Sequence, residues 1–175
     1  MEFEFLYALQ NLHTPILDKV MVFITTLGDG GIFWIVIALL MLPFKKTRKC
    51  GCMVLITMAV CYIIGNIGLK NIIQRPRPCR IDDSVPLLIP FPSEYSFPSG
   101  HTLHGFAAAT AIFLHFKKPG IFALILAGLI AFSRMYLFVH FPTDILGGII
   151  IGVGMAVLIY KAEQKIRMRK QKEKN

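Results

Sequence analysis

Three short stretches of this 175-residue chain carry side chains whose types and spacing suit one chemistry, the transfer of a phosphoryl group. In "KNIIQRPRP", Lys70 is followed by Arg77 and Pro78. "PSGH" sets Pro98, Ser99, Gly100 and His101 in a row, and "SRMYLFVHFPTD" places Ser133 and Arg134 ahead of His140 and Asp144. The planar fork of arginine matches phosphate oxygens, and lysine adds a compact point charge. Pro98 suits the first turn of a helix, where its missing N–H would be unsatisfied anyway. Ser99 and Gly100 then leave backbone N–H groups free at a helix start, where the dipole favours an anion. Glycine at that point lets a phosphate approach closely.

His140 and Asp144 have the spacing of a nucleophile and its orienter. A carboxylate that accepts one ring N–H fixes the tautomer and leaves the other nitrogen free to attack. His101 can protonate the departing oxygen. Two histidines with opposite duties need environments that separate their protonation states. Lys70, Arg77, Arg134, Ser99 and the Gly100 N–H would stabilise charge on the transferring group.

These residues need elements to hold them, and the composition says which kind. The chain is 55% hydrophobic and 17% charged, against about 25% charged in soluble domains. A helical crossing needs about 20 mainly apolar residues. Segments 50–72, 98–116, 119–138 and 142–161 meet this, and 15–28 and 31–44 read as two shorter spans separated by a tight turn at "GDGG". Residues 2–12 read as a short amphipathic helix on the interface. The expectation is a single all-α membrane domain over 1–175, a bundle of six transmembrane helices. The start, "MEFEFLYALQ", lacks the positive charge of a secretory signal and is expected to be mature.

The net charge of +9 gathers in 45–49, at Lys117 and Lys118, and in a basic tail over 162–175. Punctuating apolar runs, these clusters follow the positive-inside rule and argue against nucleic-acid binding. Six spans would put both termini in the cytoplasm and the chemical residues at the extracytoplasmic face. Lys70, Arg75, Arg77, Arg80 and Arg134 gather at that face against the rule, and an anionic ligand outside the cytoplasm supplies the reason.

Other polar residues read as structural. Arg75 and Arg80 are expected to be surface or headgroup contacts, His104 a packing or interface residue, and His13 and His115 interfacial residues without partners. Cys50 and Cys52 are too close for a C-x-x-C pair, Cys61 falls mid-span, and Cys79 stands alone in an external loop. The small residues of "GGIIIGVG" (147–154) suit close helix packing within the chain.

The pattern K-x6-R-P, P-S-G-H, S-R-x5-H-x3-D resembles the three-part signature of the type-2 phosphatidic acid phosphatase superfamily, with every signature position filled between 70 and 144. The resemblance implies a membrane lipid phosphatase without metal or other cofactor, working through a phosphohistidine on His140 with His101 as the acid. The chain's size and "LDKVMVFIT" most resemble small bacterial undecaprenyl-diphosphate phosphatases of the plasma membrane. Phosphatidic acid and phosphatidylglycerol phosphate stay open as substrates, as do phosphotransfer to a lipid acceptor and a non-enzymatic role. The implied partners are a lipid phosphate or diphosphate and the surrounding membrane lipids. Vanadate, a phosphate mimic, is expected to inhibit.

Overall fold

The computed structural model describes residues 1–172, and within them every regular element is a helix. In order these are α1 (Glu2–Gln10), α2 (Pro15–Thr26), a 3-10 turn (Asp29–Gly31), α3 (Ile32–Met41) and α4 (Arg48–Cys61). A π-wound stretch (Tyr62–Leu69) continues α4 into α5 (Lys70–Ile73), followed by α6 (Pro78–Ile81), α7 (Gly100–His115), α8 (Lys117–Tyr136) and α9 (Pro142–Lys172). The last three residues of the basic tail lie outside the described residues.

α7 is the central helix, packed on α4, α8 and α9. Its Leu103, Ala107, Ala108 and Ala111 are fully buried. The small residues of α9 permit this: a Cβ added at Gly152 would lie 2.6 Å from the Leu103 carbonyl oxygen. Close backbone approach of this kind is the usual reason for small residues between membrane helices. Around α7, Trp34, Val54, Met58, Ile112 and Ile130 form the main apolar core.

A second core lies at one end of the bundle, built on the 137–141 connection. Leu6 and Leu9 of α1 are buried in it, and Phe3 and Tyr7 pack on Phe138. α1 therefore clamps the connection that carries His140. Cys79, expected alone in an external loop, is buried in the same cluster.

The expected pair of spans over 15–28 and 31–44 is corrected. Thr14 caps α2 by accepting from the Leu17 N–H, with Pro15 in the first turn. α2 begins where Asp18 accepts a hydrogen bond from the Tyr136 hydroxyl at 2.6 Å, and it ends where Thr25 meets Arg134. α3 continues in the same sense to Met41 and Thr47, beside Phe116 at the far end of the bundle. Gly30 (φ 57°) and Gly31 (φ 68°) break the helix there, yet the two halves differ in direction by only 42°. Residues 15–41 thus make one bent traverse instead of an out-and-back pair. As a result α1 lies at the His140 end of the bundle, and the described part of α9 finishes at the opposite end.

Among the described residues, Arg48–Ile81, Lys117–Tyr136 and Pro142–Lys172 are long and apolar enough to cross a membrane, and the bent pair meets the same test when its halves are taken as one span. α7, at 16 residues, rises about 24 Å, short of the roughly 30 Å of hydrocarbon. Its position inside the bundle explains the shortness: its neighbours, not lipid, cover it. His13 and His115 also depart from expectation, since His13 pairs with Asp18 at 2.9 Å and stacks on Tyr136, while His115 lies 3.5 Å from Glu163.

Candidate active site

The residues singled out by spacing converge from five parts of the chain. Lys70 closes the long α4–α5 helix, which Gln74 ends in a left-handed conformation (φ 49°). Arg77 precedes Pro78 at the start of α6, Gly100 and His101 open α7, Arg134 lies in the last turn of α8, and His140 stands in the 137–141 connection. All six line one cavity of about 570 Å³.

His140 is 1% exposed, and its two nitrogens meet opposite chemistry. On one side Arg77 Nη1 lies 2.9 Å from Nε2. An arginine can only donate, so Nε2 is the acceptor and the ring proton sits on Nδ1. On the other side Nδ1 faces the Ser96 hydroxyl at 3.4 Å and Asp144 Oδ2 at 3.6 Å. Burial, then the positive charge of Arg77 and Arg134, holds the His140 imidazole well below the usual histidine range. The ring is therefore neutral, with its lone pair directed at the arginine cluster.

Asp144 is fully buried in the first turn of α9, and both oxygens are engaged. Oδ2 accepts from Ser96 Oγ at 2.5 Å and from the Phe141 N–H at 2.8 Å, while Oδ1 accepts from Arg75 Nη1 at 2.7 Å. Arg75 is thus a partner of the buried carboxylate, not the general surface contact expected from its position. It also binds Glu2 of α1 at 2.6 Å and lies over the Phe141 ring.

The cations are held by specific partners. Arg77 donates Nε to the Glu94 carbonyl at 2.7 Å and Nη1 to the Val139 carbonyl at 3.0 Å. Lys70 pairs with the Glu94 carboxylate. That hydrogen bond from Lys70 holds the Glu94 carboxyl below its usual range, although partial burial opposes it. Arg134 donates Nη1 to Thr25 Oγ1 at 2.6 Å, and its Nε is buried without a partner. His101 Nε2 lies 2.9 Å from Asp29 Oδ1.

Gly100 sits against the Asn66 amide, where an added Cβ would meet Nδ2 at 3.4 Å and Lys70 Nζ at 3.8 Å. Ser99 is fully buried as the residue before α7, its hydroxyl accepting from Thr102 Oγ1 at 3.0 Å and its N–H donating to the Asp144 carbonyl. It stands behind the cavity wall, as Asp144 does. His104 lines the cavity with Nε2 buried and unpartnered. Spacing alone missed Glu94 and Ser96, which lie in irregular segments, Asp29 in the 3-10 turn, and Thr25 in α2. Only the polar start of "YSFPSGH" hinted at Ser96.

This set of groups can take a tetrahedral anion between Lys70, Arg77 and Arg134, with His140 and His101 lining the same cavity. Comparison with known proteins agrees with that chemistry. The profile of the PAP2 superfamily matches residues 50–168. An undecaprenyl-diphosphatase from Sulfolobus acidocaldarius is 33% identical over 148 residues, covering 84% of this chain and 71% of that protein. The crystal structure of a transmembrane PAP2-type phosphatidylglycerolphosphate phosphatase from Bacillus subtilis superposes with TM-score 0.76 and 30% identity, covering 92% of this chain and 83% of that one. LpxE from Aquifex aeolicus superposes with TM-score 0.80 and 27% identity, covering 91% and 94%.

Proposed function

The chain belongs to the PAP2 superfamily and is a membrane lipid phosphatase; on that premise we propose that it works through a phosphohistidine on His140, with undecaprenyl diphosphate as its first substrate. The observation that supports this most is the two-sided setting of His140, with Nδ1 turned to Ser96 and Asp144 and Nε2 turned to Arg77. The terminal phosphate displaces Glu94 from Lys70 and enters between Lys70, Arg77, Arg134 and the Gly100 N–H, with Ser99 beneath it. Nε2 attacks phosphorus, the P–O bond to the leaving group breaks, and its electron pair takes a proton from His101. Asp144 stabilises the positive charge that develops on the His140 ring. Water then attacks the phosphohistidine, His101 takes the water's proton, the P–N bond breaks and inorganic phosphate departs.

The basic residues Arg48, Lys49, Arg167 and Lys170 gather at the end of the bundle opposite His140. By the positive-inside rule that end is cytoplasmic. The site then faces outward, in five traverses, with the N-terminus outside and the C-terminus inside. The name of the Sulfolobus relative favours an isoprenoid diphosphate. The Bacillus structure favours phosphatidylglycerol phosphate as a second reading.

The test is phosphate release by detergent-purified full-length protein in EDTA, with undecaprenyl diphosphate, farnesyl diphosphate, phosphatidic acid and phosphatidylglycerol phosphate, beside His140→Ala. Release that survives EDTA and disappears in the variant is the expected result, with undecaprenyl diphosphate ranked first. Equal activity in the two proteins would refute the assignment of His140.

A further inference from the structure

Asp29 belongs to none of the three motifs, yet it makes the nearest polar contact of His101. Its Oδ1 lies 2.9 Å from His101 Nε2, and both residues line the cavity that holds Lys70, Arg77, Arg134 and His140. The local backbone is shaped for this contact. A Cβ added at Gly28 would fall 2.5 Å from His101 Cδ2, so the turn can press against the imidazole only without a side chain there. Gly30 and Gly31 both have positive φ, which ends the turn and starts α3 directly after it. Just before the turn, Thr25 fixes Arg134. The bent α2–α3 traverse therefore positions two groups of the site from outside the motifs.

We propose that Asp29 is the positioning residue of His101, and that this pair sets how strongly the enzyme's rate depends on the basicity of the leaving group, mattering most when an alkoxide departs. The proposal rests on His101 being the acid for the leaving group. A carboxylate on Nε2 fixes the ring and leaves Nδ1 as the nitrogen free to serve a departing oxygen. The leaving group decides how much this matters. When a diphosphate is cleaved, the lipid phosphate departs as a stable anion that needs little protonation. When a monoester is cleaved, the departing alkoxide is strongly basic, and the P–O bond breaks efficiently only if His101 delivers its proton as the bond opens.

The experiment compares farnesyl phosphate with farnesyl diphosphate, which share a tail and differ in leaving group. Initial phosphate release is measured for the wild type, Asp29→Asn, Asp29→Glu and His101→Gln, and the readout is the ratio of kcat/KM on monoester to that on diphosphate. General acid catalysis contributes about 10²–10⁴-fold, so His101→Gln is expected to lower the ratio by at least about 100-fold. Asp29→Asn is expected to lower it by at least about tenfold, and Asp29→Glu to recover part of that loss. The diphosphate reaction in the same sample reports folding, so a misfolded variant loses both activities together and leaves the ratio unchanged. An unchanged ratio in Asp29→Asn with its diphosphate activity retained, while His101→Gln still discriminates, would overturn the role of Asp29 alone. A rise on both substrates would show Asp29 to be an obstruction to the anion. An unchanged ratio in His101→Gln would remove the acid role itself, and this proposal with it.

Discussion

Arg75 donates to Asp144 Oδ1 at 2.7 Å, and this pair joins the N-terminal helix to the base of the active site. The same guanidinium binds Glu2 of α1 and the Thr143 hydroxyl. Replacing Arg75 with Gln strips a fully buried carboxylate of its charged donor. Leaving a buried charged acceptor short of a partner costs about 1–3 kcal/mol. Arg75→Gln is therefore expected to lower the midpoint of thermal unfolding in detergent and to reduce kcat. An unaltered midpoint would mean that solvent replaces the arginine.

Ser96 fills the gap between His140 and Asp144, donating to Oδ2 at 2.5 Å and lying 3.4 Å from Nδ1. The direct distance from Nδ1 to the carboxylate is 3.6 Å, beyond a good hydrogen bond. Ser96→Ala is expected to lower kcat by about tenfold, the loss of roughly one hydrogen bond's worth of orientation, with little change in KM. A KM effect without a kcat effect would place Ser96 in binding instead.

His140 is held neutral by burial and by Arg77, so lowering the pH from 8 to 6 does not protonate it. The acid limb of kcat/KM is expected to fall below the ordinary histidine range of about 6.5. Stability follows the same linkage. The unfolded chain takes up a proton near pH 6.5 that the folded ring refuses, so this group's contribution is present above that pH and is lost as pH falls toward the lower folded value. Thermal unfolding at pH 7.5 and 5.5 is expected to show a larger drop for the wild type than for His140→Gln.

Glu94 pairs with Lys70, and the proposed function puts a phosphate oxygen in its place. Because its carboxyl is kept below the usual range by that hydrogen bond, it stays ionised throughout pH 5–8 and competes with substrate at every working pH. An entering anion loses affinity in proportion to the fraction of time Lys70 is occupied. Glu94→Gln is expected to lower KM and the inhibition constant of vanadate by about threefold or more. A higher KM would instead make Glu94 part of the substrate's own binding set.

The sequence by itself determined which residues gather at the candidate site. Lys70, Arg77, Gly100, His101, Arg134 and His140 reach one cavity because their separations are set within single helices or short connections, where spacing alone governs which end of the bundle a side chain reaches. Apolar runs and small residues likewise marked α4, α7, α8 and α9. Hydropathy counts residues per crossing but carries no angle, so it could not tell that Gly30 and Gly31 bend the first traverse by 42° instead of reversing it. That bend decides which end holds the N-terminus and brings Asp29 onto His101. The partners of the catalytic groups also depended on tertiary structure. Ser96, Glu94 and Arg75 lie in irregular backbone between α5 and α7, whose path is set by distant contacts such as the Ser96 N–H to the Arg75 carbonyl and Arg77 to Val139. No local periodicity encodes such contacts, and the positions of those residues follow from packing against α1 and the 137–141 connection.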